Sequence, residues 1–292
     1  MKSLIVGMGI GQLYKTVLTE LGHDIVTVDA DKNKNVDFET IDQAILVHKH
    51  FDTAHICTPN FTHFDLTTRA ARASKIVFVE KPGVAAALNW ATLVHTFKDT
   101  RFMMVKNNMW RDNIQQLKQS ALDSNKVNLL WHNRDRVPNP GTWFTTKKLS
   151  FGGVSRDLMP HLLSLYIALN PDWIEESMTG KSSDRKWNLE DLTQTDYGIV
   201  KADGVYDVDD HCYIDFGTKW HLSADWRTNQ TDNRSIKFEK SDGTTETFEL
   251  GLCPESAYKS MIADALANLN NENFWRQQLV YDYWIHERVE NL

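Results

Sequence analysis

An α/β chain in two domains is predicted by three observations. Over the first hundred or so residues, short, continuously apolar runs alternate with stretches of helical spacing. Beyond about residue 125 the runs lengthen and take on alternating character. The length of 292 residues exceeds the roughly 100–150 of a typical domain. Continuously apolar strands between helices belong to a parallel sheet covered on both faces, whereas alternating strands belong to an antiparallel sheet packed on one face. The expected domains are 1–110, built on a parallel sheet, and 111–292, an α+β unit on a mostly antiparallel sheet.

The elements follow in order. Residues 3–6 are an apolar run ended by Gly7, and 13–21 carry helical spacing closed by Gly22, which reads as strand, turn, helix. Strands are expected at 25–28, 54–57, 76–79 and 101–105, with helices at 41–48, 65–73 and 90–97 between them; the first domain then ends near Asn108. In the second half, strands are expected at 212–216, 220–226, 236–239 and 247–250. The last two are joined across Ser241-Asp242-Gly243-Thr244, where the Asp-Gly pair is a hairpin signal. Helical spacing at 257–269 and 274–289 closes the chain, and both helices are expected in the second domain.

Composition narrows the function. A hydrophobic content of 41% supports real cores, and a formal net charge of −7 argues against a general nucleic-acid or anionic-membrane surface. Cys57, Cys212 and Cys253 are too few and scattered for a disulfide framework and lack metal-ligand spacing, so no metal is expected and a reducing cytoplasm fits best. The first residues are too short an apolar stretch for a signal peptide, and no run reaches the roughly 18 apolar residues of a membrane span. A cytoplasmic protein without a nucleic-acid or membrane partner is expected.

Four segments carry chemistry. Gly7-Met8-Gly9-Ile10-Gly11 follows a strand and opens a helix, where backbone N–H groups bind a pyrophosphate. Its third glycine arrives one position early, with Gln12 where glycine is usual. Asp29 ends the second strand, placed to accept hydrogen bonds from an adenosine ribose and to repel a 2′-phosphate, which favours NAD over NADP. Beside it, Asp31, Lys32 and Lys34 form a mixed-charge loop able to swing a lysine onto a phosphate. Thr58-Pro59-Asn60 follows a strand at the carboxyl edge of the sheet, with His63 opening the next helix. In Glu80-Lys81-Pro82, the lysine lies between a buried strand and a proline, which fixes its direction and suits it to stabilise a developing alkoxide.

The fourth segment is Gly152 to His161. Asp157 and His161 are four apart, on one face of a helix whose first turn contains Pro160. A helix N-terminus disfavours the imidazolium and keeps His161 available as a base. His211, in Asp209-Asp210-His211, reads as part of a solvated turn rather than a metal cluster, because neighbouring strand residues point to opposite faces.

In this order the glycine turn, Thr-Pro-Asn-x-x-His at 58–63, Glu-Lys-Pro at 80–82 and the Gly-Gly…Asp…His block at 152–161 resemble the Gfo/Idh/MocA family of nicotinamide-dependent sugar and polyol oxidoreductases. The resemblance implies an N-terminal Rossmann-type domain. It also implies a second domain with a large open sheet, helices on one face and an oligomer interface on the other. It implies NAD, held by Gly7, Met8, Gly9, Ile10, Gly11, Asp29, Thr58, Pro59, Asn60, His63, Glu80 and Lys81. His161 would exchange the proton, Lys81 polarise the reacting oxygen and Asp157 orient the other two, on a hydroxyl or carbonyl of a sugar, polyol or related small molecule. Asn108, Arg111, His132, Arg134 and Trp143 fall in segments that border the substrate cleft in relatives. Met159 replaces the family's glycine, and Ser164 stands where an aspartate often follows the histidine. The ten tryptophans, several in the predicted strands, add to the expectation of a homodimer or homotetramer. Two alternatives remain: an NAD-dependent glycosidase of the same fold, and a non-catalytic dinucleotide or sugar sensor. Lys81, Asp157 and His161 together speak against the sensor.

Overall fold

Five parallel strands, β1 (Lys2–Val6), β2 (Asp24–Val28), β3 (Phe51–Ile56), β4 (Ser74–Val79) and β5 (Arg101–Met104), form the first sheet of the computed structural model. The structure describes residues 1–193 and 195–292. The strand order is β2-β1-β3-β4-β5. Leu4, Ile5, Ala54, Ile56, Ile76, Val77 and Val79 are fully buried, as expected of strands covered on both faces. The connecting helices are α1 (Gly11–Glu20), α2 (Ile41–His48), α3 (His63–Ala71) and α4 (Ala87–Thr96). Thr40 starts α2 with a capping box shared with Gln43, which satisfies two otherwise unpaired N–H groups. The order reverses direction between β1 and β3, so the turn after β1 and the loop after β3 flank the crevice where open α/β sheets bind ligands.

A second sheet follows α5 (Ile114–Leu122) and begins with β6 (Ser124–His132). The helices α6 (Lys147–Ser150), α7 (Val154–Asp157) and α8 (Met159–Leu169) come next. Then come β7 (Met178–Asp184), β8 (His211–Phe216), β9 (Trp220–Asp225), β10 (Asn233–Lys240) and β11 (Thr245–Glu249). The order is β11-β10-β6-β9-β8-β7, with β6 and β9 parallel and the other pairs antiparallel. Gly243 takes φ +82° in the predicted hairpin between β10 and β11, a conformation that favours glycine. One face of this sheet buries Val127, Leu129, Ile214, Phe216, Leu222, Ile236 and Phe238. On that face Tyr166 of α8 stacks on Phe216 at 4.3 Å and meets Trp220 edge-on at 5.2 Å.

The chain ends in α9 (Glu255–Ala267) and α10 (Glu272–Glu290). Here the expected division is corrected. The compact units are Met1–Trp110 with Pro254–Glu290, and Arg111–Cys253 with Asn291–Leu292, so both helices leave the expected domain 111–292 and join the first. The reason is burial: Met261, Ile262, Ala265 and Trp275 share one apolar cluster with Ile5, Tyr14, Phe78 and Met103. α10 adds an ion pair between Asp282 and Lys106, both fully buried. Burial pushes the Asp282 carboxyl up and the Lys106 ammonium down, while their mutual attraction opposes both shifts.

The tryptophan argument for self-association is also corrected. Trp131, Trp220 and Trp226 are at most 6% exposed and belong to the packed side, so they call for no partner. The opposite face is largely polar, carrying His132, His211, Tyr213, Asp215, His221, Ser223 and Asp225 by alternation. His211 is the first residue of β8 rather than part of a solvated turn, and its Nδ1 lies 3.0 Å from the Asp225 carboxylate. Cys57 and Cys212 are buried, Cys253 is half-buried, and all three are free thiols. Among the described residues, no helix is long and apolar enough to cross a membrane.

Candidate active site

The glycine turn assigns a different task to each glycine. Gly7 has φ +92°, and a Cβ there would fall 2.6 Å from the Cys57 carbonyl oxygen. At Gly11 a Cβ would meet Ile5 at 2.9 Å, so this residue gives the close approach of α1 to β1 that a third glycine supplies, one position early. A Cβ on Gly9 would meet nothing within 4 Å. The shortened spacing therefore preserves the tight turn and the close packing while leaving Gly9 open for an approaching anion. The side chain of Met8 is buried and that of Ile10 exposed. Asp29 holds the turn from the end of β2, its Oδ2 accepting the Met8 N–H at 2.7 Å.

Across the strand-order reversal, Thr58, Pro59 and Asn60 are half-buried at the end of β3. The expectation that His63 contacts a cofactor is corrected. Its ring is fully buried, with Nδ1 2.6 Å from the Gly83 carbonyl and Nε2 2.8 Å from the Thr58 carbonyl. Two acceptors favour the imidazolium, but burial outweighs them and the pKa lies below its ordinary value. His63 thus ties the Thr58 loop to the loop bearing Lys81. Glu80 is also buried, and its Oε1 accepts the Tyr14 hydroxyl at 2.6 Å. Burial and this carboxylate push the Tyr14 phenol well above its usual range.

Lys81 is half-buried at the tip of a turn closed by the Gly83 N–H on the Glu80 carbonyl at 2.9 Å; the Lys81–Pro82 peptide is cis. α10 supports this turn. His286 Nδ1 lies 2.6 Å from the Asp282 carbonyl, which leaves Nε2 to accept the Val84 N–H at 3.1 Å. No motif marks His286 as part of this support, since it lies 202 residues from Val84 in sequence.

In the second unit, the predicted single helix around Asp157 and His161 is two helices. Asp157 ends α7, and His161 is the third residue of α8, with its N–H bonded to Leu158 O at 3.0 Å. Pro160 falls in the first turn of α8, where a missing N–H costs no intrahelical bond. From Gly152 to Ile167, Asp157 and His161 are the two residues that are not buried. Each is held by a tryptophan, Trp131 of β6 or Trp226 just after β9. The Trp226 indole N–H donates to Asp157 Oδ2 at 2.8 Å, and the Trp131 ring stacks on the His161 ring at 5.3 Å and 21°. Sequence reasoning missed both tryptophans, though their alternation with buried strand residues was a signal for the packed face. Gly153 fits against Asp209, whose carboxylate accepts the Gly153 and Ser155 N–H groups at 2.8 and 2.7 Å. Met159 is buried in the core, and Ser164 donates to the His161 carbonyl at 2.8 Å, so packing absorbs both departures from the motif.

The substrate-border residues scatter. Asn108 is fully buried, and Arg111 is 6% exposed with Nη1 on the Leu250 carbonyl at 2.8 Å. His132 is corrected: Trp131 takes the face with His161, so His132 points to the opposite face, where Nε2 lies 2.8 Å from Ser223 Oγ. Burial lowers the His132 pKa. Arg134 is corrected as well, being an exposed partner of Asp196 at 2.5 Å. Trp143 is half-buried and stacks on Phe144 at 3.8 Å.

Residues 2–107 match the model of an oxidoreductase family with an NAD-binding Rossmann fold. Comparison with curated protein sequences finds no match. Among solved structures, GenD2 of gentamicin A biosynthesis, in complex with NAD, superposes with a TM-score of 0.71 at 17% identity, over 98% of this chain and 92% of its own. Levoglucosan dehydrogenase, with NADH and levoglucosan, gives 0.71 at 14%, over 100% and 95%. D-galactose-1-dehydrogenase of Rhizobium etli gives 0.70 at 17%, over 97% and 94%. At these identities the likeness is one of fold, extending over both units, while the matched family model covers the N-terminal sheet and its glycine turn. Over residues 2–107, the N-terminal sheet with its glycine turn thus matches the Gfo/Idh/MocA model of oxidoreductases with an NAD-binding Rossmann fold.

Proposed function

We propose that the protein oxidises a hydroxyl group of a sugar, polyol or related small molecule with NAD, or reduces the corresponding carbonyl. The observation that carries this reading is that Asp157 and His161 stay half-buried in a segment whose other residues are buried, from Gly152 to Ile167. A histidine and a carboxylate that reach solvent in part, each steadied by a tryptophan, are suited to work on a ligand. The glycine turn fits the dinucleotide, because the space beside the Gly9 backbone at the start of α1 is open to a pyrophosphate. Gly7, Gly9, Gly11 and Asp29 would hold it, with Thr58, Pro59 and Asn60 beyond the strand-order reversal. Bound NAD supplies the hydride acceptor in the oxidation.

The chain's own residues handle the proton and the charge. His161 accepts the hydroxyl proton on an imidazole nitrogen. Lys81 presents an ammonium that stabilises negative charge on the reacting oxygen. Asp157, steadied by the Trp226 indole, orients the reacting groups. Myo-inositol, D-galactose and levoglucosan head the substrate screen, since proteins of similar fold are named for them.

The test is reduction of NAD followed by absorbance across sugars and polyols, then single-turnover hydride transfer in variants. His161→Ala is expected to lower turnover by roughly 10²–10⁴-fold and leave NAD affinity nearly unchanged. Lys81→Ala should collapse turnover as well. The double variant should lose far less than the product of the two if both act on one proton. Full activity in His161→Ala would remove the catalytic reading and leave the sensor ahead.

A further inference from the structure

Within the second unit, each tryptophan that touches Asp157 or His161 has an arginine beside it. Arg234 of β10 is the register partner of Trp131, and directly opposed residues of an antiparallel pair share a face. It therefore stands on the packed face of the sheet, where the Trp131 ring stacks on His161. Arg136 donates its backbone N–H to the Trp226 carbonyl at 2.8 Å, and the Trp226 indole holds Asp157. One end of the sheet thus brings both arginines to the two tryptophans that steady Asp157 and His161.

Neither guanidinium is used up by the fold. Arg234 donates from Nε to Asn133 Oδ1 at 3.0 Å and from Nη2 to Asp232 Oδ2 at 2.8 Å, which leaves its Nη1 donors without a bond among the described residues. Arg136 is half-buried, and among the described residues no carboxylate pairs with it; the centre of the Tyr197 ring lies 5.1 Å from its guanidinium carbon. Burial lowers the Arg234 pKa, Asp232 opposes that shift and the Arg136 charge adds to it, so the two guanidiniums stand close enough to repel. An anion bound between two such charges relieves the repulsion. Carboxylate and phosphate are the groups whose oxygens match the planar guanidinium fork.

We propose that Arg136 and Arg234 bind an anionic group of the substrate, which is then a sugar or polyol bearing a carboxylate or a phosphate. This rests on the proposed function and adds a substrate class to it. The test is NAD reduction by the full-length protein across matched sets: D-galactose, D-galacturonate and D-galactose 6-phosphate; D-glucose, D-glucuronate and D-glucose 6-phosphate; myo-inositol and its monophosphate. The wild type is expected to favour an anionic member over its neutral counterpart by about tenfold or more in kcat/KM, and the faster of uronate and phosphate identifies the anion. Arg136→Met should lower that preference by roughly 10- to 100-fold, the range of a charged hydrogen bond, and do so through KM rather than kcat. Arg234→Met should act in the same direction. Arg136→Lys should keep part of the preference, because it restores the charge without the fork. A preference unchanged in both Met variants would show that the arginines only brace the sheet, and would overturn the proposal. Faster turnover of the neutral members would overturn it and leave the proposed function standing. Turnover of no member would overturn both.

Discussion

Gly9 and Gly153 give opposite predictions for the same substitution. A Cβ at Gly9 meets open space, so Gly9→Ala should leave the melting temperature unchanged and weaken NADH binding by about tenfold, because the added methyl stands where the pyrophosphate approaches. A Cβ at Gly153 would collide with the Asp209 carbonyl, which is backbone and cannot swing aside. Gly153→Ala should cost several kcal/mol and move α7, with a large loss in thermal denaturation. A destabilised Gly9→Ala with intact NADH affinity would reverse the assignment. Sequence spacing singled out Gly7, Gly9 and Gly11, but left open whether the early third glycine spoiled the turn; the distance from Gly11 to Ile5 answers that. Lys81, Asp157 and His161 were legible because proline, glycine and i,i+4 spacing are local signals. Trp131, Trp226 and His286 were not, because what each supports lies far along the chain.

At the scale of elements, β3 places His55 in the middle of the first sheet, its ring stacked on Phe78 at 4.9 Å. Burial, aided by His23, brings its pKa down to about 3. His63, in the first turn of α3, is depressed by burial as well. In the unfolded chain both rings return to about 6.5. Between the folded and unfolded values the unfolded chain binds more protons, so stability rises with pH there. It is fully present above about pH 6.5 and lost as the pH falls toward the folded values, by up to about 1.4 kcal/mol per pH unit for His55 and in the same direction for His63. Thermal denaturation should show a melting temperature that drops from pH 7.5 to pH 5, and His55→Leu should make the drop shallower. An unchanged acid slope in that variant would show that His55 contributes nothing to it. Elements themselves were legible where periodicity was clean, as in β8, where Cys212, Ile214 and Phe216 alternate with polar residues. β7, Met-Thr-Gly-Lys-Ser-Ser-Asp, was invisible because its pairing with β8 comes from backbone hydrogen bonds and its side chains carry almost no apolar pattern.

At the scale of the whole molecule, the first unit is assembled from both ends of the chain, which sequence order hides. Helical spacing predicted α9 and α10, but nothing local says which sheet they join. The answer lies in the apolar cluster that Met261, Ile262, Ala265 and Trp275 complete with Ile5, Tyr14 and Phe78. Together with Ala257, Trp284, Ile285 and Val289, the two helices bury eight apolar side chains to 6% exposure or less. At about 1.5–3 kcal/mol for each large side chain, and allowing that such sums are upper bounds, this rivals the roughly 5–15 kcal/mol that holds a whole domain folded. Residues 1–110 alone should therefore fail to fold, even though they contain every strand of the first sheet. Joining 110 to 254 with a flexible Gly/Ser linker and ending at 290 should restore folding, because the joined chain holds every element of the compact unit. Circular dichroism should show a cooperative melt for the joined chain and none for 1–110, and NADH fluorescence should change only with the joined chain. A cooperative melt from residues 1–110 alone would show that α9 and α10 are packed on a core that does not need them.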